Sequence, residues 1–195
     1  MLKIHTLTLG MYQTNTYIIH EETSKSCCII DPGYQANTIL ETLDSLGLTL
    51  EAILLTHGHF DHVGAVKDLA ADTDCRVFLC AEDDALPPMF TAGKLYYTDT
   101  YAEGSILHVA GLYIHVLHTP GHTPGSVCLL CEDAIFSGDT LFAGSCGRTD
   151  IGGSWPDIQR SLKRLSAMEA DFRVFPGHGE STTLAAEKRY NPYMR

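Results

Sequence analysis

The sequence predicts an α/β chain in which two packed β-sheets are flanked by helices. Three observations carry that prediction. Short apolar runs of strand character alternate with amphipathic helical stretches. The alternation comes in two strand-rich halves, each finished by helices, the order expected of layered sheets and helices. Finally, 195 residues with 45% hydrophobic content are enough to build one sizeable core, so residues 1–195 read as a single domain.

Taken in order, strands are expected at 2–9, 16–20 and 27–31, punctuated by Gly10 and a polar turn over 21–25. Asp31-Pro32-Gly33 ends the third strand. A helix follows over 34–46, with Ile39, Leu40, Leu43 and Leu46 at helical spacing and Gly47 as its stop. A short apolar strand is expected at 52–55, a helix at 63–71 and a strand at 76–80. The stretch 81–104, with Pro87-Pro88, Phe90, Tyr96, Tyr97 and Tyr101, reads as an irregular aromatic segment that could fold over a site. The second half continues with strands at 106–109, 112–118, 126–130 and 134–136. An amphipathic helix over 155–168 presents Ile158, Leu162, Leu165 and Met168 on one face, a strand follows at 172–175, and the tail from Thr182 reads as helical.

Composition excludes several classes of function. A net charge of −11 argues against nucleic-acid and anionic-membrane partners, which need clustered Lys and Arg. No apolar stretch approaches the ~20 residues that span a bilayer. Met1-Leu2-Lys3-Ile4-His5 does not open a secretory signal, so a cytoplasmic location is expected. The seven cysteines suit a reducing compartment, and Cys128-Leu129-Leu130-Cys131 reads as a strand with buried thiols rather than as a metal or redox pair.

The chemistry is concentrated in the histidines. His57, His59, Asp61 and His62 fall within six residues, and His122, Asp139 and His178 complete a set that uses half of the ten histidines in the chain. Packed imidazoles and carboxylates repel or strain one another without packing benefit, unless they hold a cation that binds neutral imidazole and carboxylate. Structural zinc favours cysteine and closes at four ligands. Seven histidine and carboxylate ligands instead suit two ions with open positions. Zinc comes first, and iron or manganese fit the same donors. The ligands sit where the chain turns. His57 follows one strand, Asp139 follows Ser137-Gly138, and His122 and His178 lie in Pro-Gly-His loops, so rigid strands can hold four loops around one pocket.

The pattern His57-x-His59-x-Asp61-His62, then His122, Asp139 and His178, resembles the metallo-β-lactamase superfamily, from Asp31-Pro32-Gly33 to Gly177-His178-Gly179. The resemblance implies a four-layer αββα sandwich. It also implies that His57, His59 and His122 hold a first ion, that Asp61, His62 and His178 hold a second, and that Asp139 bridges the two. Within the superfamily, residues 141–150 resemble the segment after the bridging aspartate in glyoxalase II (hydroxyacylglutathione hydrolase) and in persulfide dioxygenases. Full-length glyoxalase II carries a further helical domain with glutathione contacts, whereas here a short tail follows His178. The match is therefore to the short glyoxalase-II-like hydrolases, and glutathione is left open as the natural thiol.

Two ions can share a water, lower its pKa and deliver hydroxide to a carbonyl carbon, with Asp61 orienting the nucleophile and accepting its proton. A small-molecule thioester suits such a site, since its thiolate leaves without a strong general acid. Asp31 either caps the turn after its strand or fixes the tautomer of a ligand histidine. Arg148 either braces its loop against Asp150 or meets a substrate carboxylate. The expected activity is a dinuclear metal-dependent thioester hydrolase. The alternatives are an iron persulfide dioxygenase using His57, His122 and Asp139, and a non-catalytic metal-binding homologue.

Overall fold

The computed structural model describes residues 1–91 and 93–195; residue 92, within the segment expected to be irregular, lies outside the described residues. The first half runs β1 Leu2–Leu9, β2 Thr14–Glu21, β3 Ser26–Ile30, α1 Ala36–Leu46, β4 Thr49–Leu54, α2 Phe60–Val63, α3 Val66–Thr73, β5 Arg76–Leu79, α4 Pro88–Thr91 and β6 Asp99–Thr100. The second half runs β7 Ile106–Val109, β8 Leu112–His118, β9 Val127–Cys131, β10 Ala134–Gly138, β11 Leu141–Phe142, β12 Ser145–Cys146, α5 Trp155–Ser166, β13 Arg173–Pro176, β14 Thr182–Thr183 and α6 Leu184–Tyr190.

The first sheet has the order β1-β2-β3-β4-β5-β6 and the second β14-β13-β10-β9-β8-β7. Strands β3 to β6 run parallel, as do β10 and β13, and the remaining pairs are antiparallel. Between the sheets, Tyr17, Ile19, Ile30 and Leu54 pack against Ile114, Val116, Leu129 and Phe136. The opposite faces are covered as well. Ile18, Ile29, Ile53 and Val77 meet Ile39 and Leu43 of α1 and Leu69 of α3. Cys128, Ile135 and Val174 meet Ile158, Leu162 and Leu165 of α5 and Leu184 of α6. This is the four-layer αββα sandwich. Strands buried on both faces explain why Cys27-Cys28-Ile29-Ile30 and Ala52-Ile53-Leu54 read as continuous apolar runs rather than alternating ones.

The structure departs from the expected elements in three places. The helix expected at 63–71 is broken after Val63, because the Pro32-Gly33 turn presses on Gly64 and the Ala65 N–H donates to the Pro32 carbonyl (3.0 Å) instead of continuing the helix. The tail begins as the short strand β14 on β13, and α6 starts only at Leu184, with the Thr183 hydroxyl accepting from the Ala186 N–H. The 81–104 stretch contains a 3-10 turn at Ala81–Ala85, a helical turn and an edge strand. Its aromatics diverge. Phe90 sits edge-on to the His59 ring, while Tyr101 is buried in the core with its hydroxyl donating to the Leu55 carbonyl.

Parallel pairing places the chemistry at one edge of the sandwich. Ile30 of β3 is level with Leu54 of β4, so Asp31 and Thr56 emerge side by side. Gly138 of β10 is level with Pro176 of β13, so Asp139 and His178 emerge together. The start of β2 laces the two sheets at that edge. Asn15 donates from its backbone to the Gly177 carbonyl (2.8 Å) and from its side chain to the carbonyls of Pro176 and Gly179, and the Tyr17 hydroxyl also donates to Pro176 (2.6 Å).

Candidate metal centre

The seven side chains singled out in the sequence converge in one place. His57, His59, His62, His122, Asp61 and Asp139 are buried, and His178 is partly open to solvent. His57 follows β4, His59 is extended at the N-cap of the short helix α2, and that helix turns Asp61 and His62 back towards His57, the His62 N–H bonding the His59 carbonyl (2.9 Å). The ring centroids of His57 and His62 are 4.1 Å apart. Glycine is required where a backbone passes under the cluster, since a Cβ at Gly177 would overlap both the Asp139 carboxylate and the His62 ring.

Every one of these imidazoles has one nitrogen committed outward. His59 Nε2 donates to the Ile151 carbonyl (3.0 Å), His122 Nδ1 to the Arg148 carbonyl (2.7 Å) and His178 Nδ1 to the Tyr12 carbonyl (3.1 Å). His62 Nδ1 donates to Asp31 Oδ2 (2.9 Å). The Thr56 hydroxyl donates to that same oxygen (2.6 Å), which leaves its lone pair to accept from His57 Nδ1 (3.1 Å). The remaining nitrogens face inward, each carrying a lone pair or, on His62 with its raised pKa, a proton that a cation would displace. An outward proton fixing an inward lone pair is the arrangement that metal-ligating histidines adopt.

Those nitrogens face one another at distances that a shared proton or a cation would bridge. His59 Nδ1 and His122 Nε2 are 2.8 Å apart, and His62 Nε2 and His178 Nε2 are 3.3 Å apart. Asp139 stands between the groups, with Oδ1 3.4 Å from His62 Nε2 and Oδ2 3.4 Å from His122 Nε2 and 3.6 Å from His178 Nε2. Asp61 Oδ2 is 3.2 Å from His178 Nε2 and 3.6 Å from His62 Nε2. Among the described residues, His57 Nε2 and Asp139 Oδ1 are buried with no hydrogen-bond partner at all. A divalent cation would satisfy both orphans and separate the opposed lone pairs, so the donor set fits metal.

Ligand atoms come within reach of one ion in two useful groups, His57–His59–His122 and Asp61–His62–His178. A third grouping, Asp31–His57–His62, also meets the distance condition, but the Asp31 oxygens already accept from the Thr56 N–H, the Thr56 hydroxyl and His62. Asp31 therefore orients the neighbouring His62 and Thr56 instead of offering lone pairs. The two groups differ electrostatically. Burial, reinforced by the neighbouring imidazoles, pushes His57 well down and His59 down to about 4. Burial also lowers His62, but Asp139, Asp31 and Asp61 outweigh it and hold His62 up at about 9. Asp61 resists burial because its hydrogen bond to His178 and the charges of His62 and His178 hold the carboxyl far below the usual range.

A cavity of about 640 Å³ opens over the cluster, walled by Tyr12, Phe60, Phe90, Phe142, Cys146 and Ile151, with Arg148 at its rim. The Arg148 guanidinium forks onto Asp150 through two bonds of 2.6 Å at an exposed position, while its backbone carbonyl is what touches His122. The sequence did not reveal the carbonyls of Tyr12, Arg148 and Ile151, since any residue can supply one. It also did not reveal Asp83, which lies in the acidic run Glu82-Asp83-Asp84 and reads as surface. Asp83 is in fact fully buried. It accepts from the Gly58 N–H (2.6 Å), the Gly125 N–H (2.6 Å) and the Thr123 hydroxyl (3.0 Å), tying the His57–His59 loop to the His122 loop.

Comparison with known proteins agrees with this geometry. Residues 9–178 match the family described as the metallo-beta-lactamase superfamily. The chain is 33% identical to hydroxyacylglutathione hydrolase GloC of Haemophilus influenzae over 99% of this chain and 98% of that protein. Among solved structures, the BLEG-1 B3 metallo-beta-lactamase aligns at TM-score 0.88 with 34% identity, covering 100% of this chain and 99% of the other. TTHA1623, crystallised in a di-iron-bound form, aligns at TM-score 0.85 with 38% identity over 97% of this chain and 99% of the other. ETHE1 from Myxococcus xanthus aligns at TM-score 0.83 with 30% identity over 97% of this chain and 83% of the other.

Proposed function

The chain belongs to the metallo-β-lactamase superfamily, and we propose that within it this protein is a dinuclear metal-dependent hydrolase of small thioesters. The observation that carries the reading is the pairing of two ligand groups across one carboxylate, with Asp139 reaching His122 on one side and His62 and His178 on the other. His57, His59 and His122 would hold one divalent ion, Asp61, His62 and His178 the other, and Asp139 both. Zinc is the first candidate, and iron and manganese suit the same donors. The di-iron form of TTHA1623 supports a two-ion centre on this fold.

When bound, such a pair supplies an activated water and an electrophilic contact for a carbonyl oxygen. The chain's own groups do the rest. Asp61, held ionised by its histidine neighbours, accepts a hydrogen bond from the nucleophilic water and orients it; so acidic a carboxyl is a better acceptor than base. Asp31 keeps the His62 ring in one tautomer and, through Thr56, does the same for His57. The apolar walls from Tyr12, Phe60, Phe90 and Phe142 exclude bulk water and give the acyl or thiol chain an apolar bed. Arg148 at the rim would meet a substrate carboxylate by exchanging it for Asp150. A thiolate leaves with its charge, pKa ~8.5 for an ordinary thiol, so the site needs no strong acid opposite Asp61.

The likeness to hydroxyacylglutathione hydrolase GloC favours thioesters. The resemblance of residues 141–150 to persulfide dioxygenases supports a second reading, iron-dependent persulfide oxygenation using His57, His122 and Asp139. One assay separates them. Purified protein is offered a panel of thioesters with thiol release followed, and in parallel a persulfide with oxygen uptake followed. Thiol release without oxygen uptake is expected, and the reverse would replace the hydrolase reading with the oxygenase.

A further inference from the structure

A second cluster of ligand-type side chains lies behind the loops of the main centre and takes no part in it. Cys80 follows β5, Glu82 lies in the 3-10 turn after it, and His118 ends β8. Ligand atoms of the three lie within 4.8 Å of one another. The Cys80 sulfur is buried and donates to Glu82 Oε2 (2.7 Å), whereas Glu82 is exposed, so the cluster has an inner sulfur and an open mouth. His118 Nε2 donates to the Pro124 carbonyl (2.8 Å), which can only accept, so the proton sits on Nε2 and Nδ1 keeps its lone pair. A proton fixed on one ring nitrogen leaves the other with a lone pair to offer a cation, as a ligating histidine requires. The nearby cation Arg164 is spent on Glu103 through two bonds, so it does not compensate Glu82.

We propose that Cys80, Glu82 and His118 form a separate peripheral site for a thiophilic divalent cation of the zinc and cadmium class. One sulfur, one imidazole nitrogen and one carboxylate oxygen leave a fourth position for water, a tetrahedral set that suits these ions and disfavours magnesium or calcium. Burial and the neighbouring Glu82 push the free Cys80 thiol up to about 12, so in the absence of metal it is protonated and unreactive. Binding exchanges that proton for the cation, forming the sulfur–metal bond as the proton leaves to solvent and freeing Glu82 to ligate. The other buried cysteines, 27, 28, 75, 128 and 131, occur in no such grouping among the described residues. The site is mechanically joined to the main centre. Glu82 precedes Asp83, which clamps Gly58 and Gly125, and His118 holds Pro124 of the His122 loop.

The test uses metal-loaded protein titrated with cadmium chloride. Ultraviolet thiolate-to-cadmium charge-transfer absorption is the readout. None of the seven side chains of the main centre is a thiol, so metal exchange there is silent in this band. The expected result is a saturable band corresponding to one cadmium per chain. It should be lost in Cys80→Ser, weakened in affinity in His118→Ala and in Glu82→Gln, and unchanged in Cys146→Ser, whose sulfur lines the main cavity. No band in the wild type, a band that survives Cys80→Ser, or one that depends on Cys146 would overturn the proposal. Should Cys80→Ser fail to fold, the His118 and Glu82 variants carry the test, because their side chains are not fully buried. Undiminished affinity in both would also overturn it.

Discussion

His57 and His62 touch ring to ring, yet their surroundings drive them in opposite directions, and this asymmetry makes the centre testable residue by residue. Burial leaves His57 and His59 as neutral imidazoles, His59 down to about 4, so their lone pairs are open throughout the neutral range. Without metal, His62 is held up near 9 by its carboxylates, and His178 is raised too: burial opposes the shift, but Asp61 and Asp139 outweigh it. An ion entering the Asp61–His62–His178 group must displace protons, whereas one entering the His57–His59–His122 group need not. Falling pH therefore weakens the second group first. Between about pH 8 and about pH 6, equilibrium dialysis of Cys80→Ser protein, which lacks the peripheral thiol, should show metal content dropping towards one ion per chain. Parallel loss from both groups would show that the carboxylates do not govern His62. Substitutions divide along the same geometry. Asp139→Ala removes the one carboxylate that, among the described residues, reaches both groups, and should abolish activity together with one ion. Asp31→Ala removes an orienting acceptor and should cost ~10–100-fold in metal affinity or activity. Equal, mild losses in the two variants would mean that Asp139 does not bridge.

At the scale of elements, the site depends on loops that strands deliver and that buried polar side chains then fix. Asp83→Ala would strand the buried Gly58 and Gly125 N–H groups, at roughly 1–3 kcal/mol each, and release both ligand loops at once. The expected result is a clear fall in melting temperature with weakened metal binding, and a variant with unchanged melting and unchanged metal affinity would show that Asp83 is not the clamp. On the opposite wall, Glu187 of α6 accepts from the Gly144 N–H (2.8 Å), and Asn191 donates to the Ser145 carbonyl (2.9 Å), so the C-terminal helix braces the β11–β12 hairpin beside the cavity. The convergence of the seven candidate ligand positions was legible in the sequence because imidazole and carboxylate at strand ends have few other reasons to cluster. The strands were legible because β-branched and apolar runs announce themselves. Asp83 and Glu187 were not legible, since a carboxylate in an acidic run or on a terminal helix looks solvated until tertiary packing closes over it. The break in the 63–71 helix was hidden for a similar reason: it comes from the Pro32-Gly33 turn, which lies 30 residues earlier and is brought there only by the fold.

At the scale of the whole molecule, the charge of −11 and the apolar cavity bear on substrate choice. Glutathione thioesters carry two carboxylates, and among the described residues lining the cavity Arg148 is the one fixed cation, already forked onto Asp150. The metal centre should therefore supply most of the transition-state stabilisation and the thiol moiety little. S-lactoylglutathione is expected to be hydrolysed with a high KM and with only a weak preference for glutathione over a smaller thiol carrying the same acyl group, the signature of missing uniform binding. Arg148→Ala should raise KM further while leaving kcat largely intact. A low micromolar KM with strong discrimination for glutathione would show that the cavity grips the thiol in a way these walls do not suggest. The central claim, two ions shared across Asp139, is tested most directly by counting metal. Cys80→Ser protein, which removes the peripheral thiol, is saturated in turn with zinc, iron and manganese at neutral pH, desalted and analysed for metal per chain. Two ions per chain are predicted; a value of one that does not rise with any of the three metals would contradict the dinuclear centre.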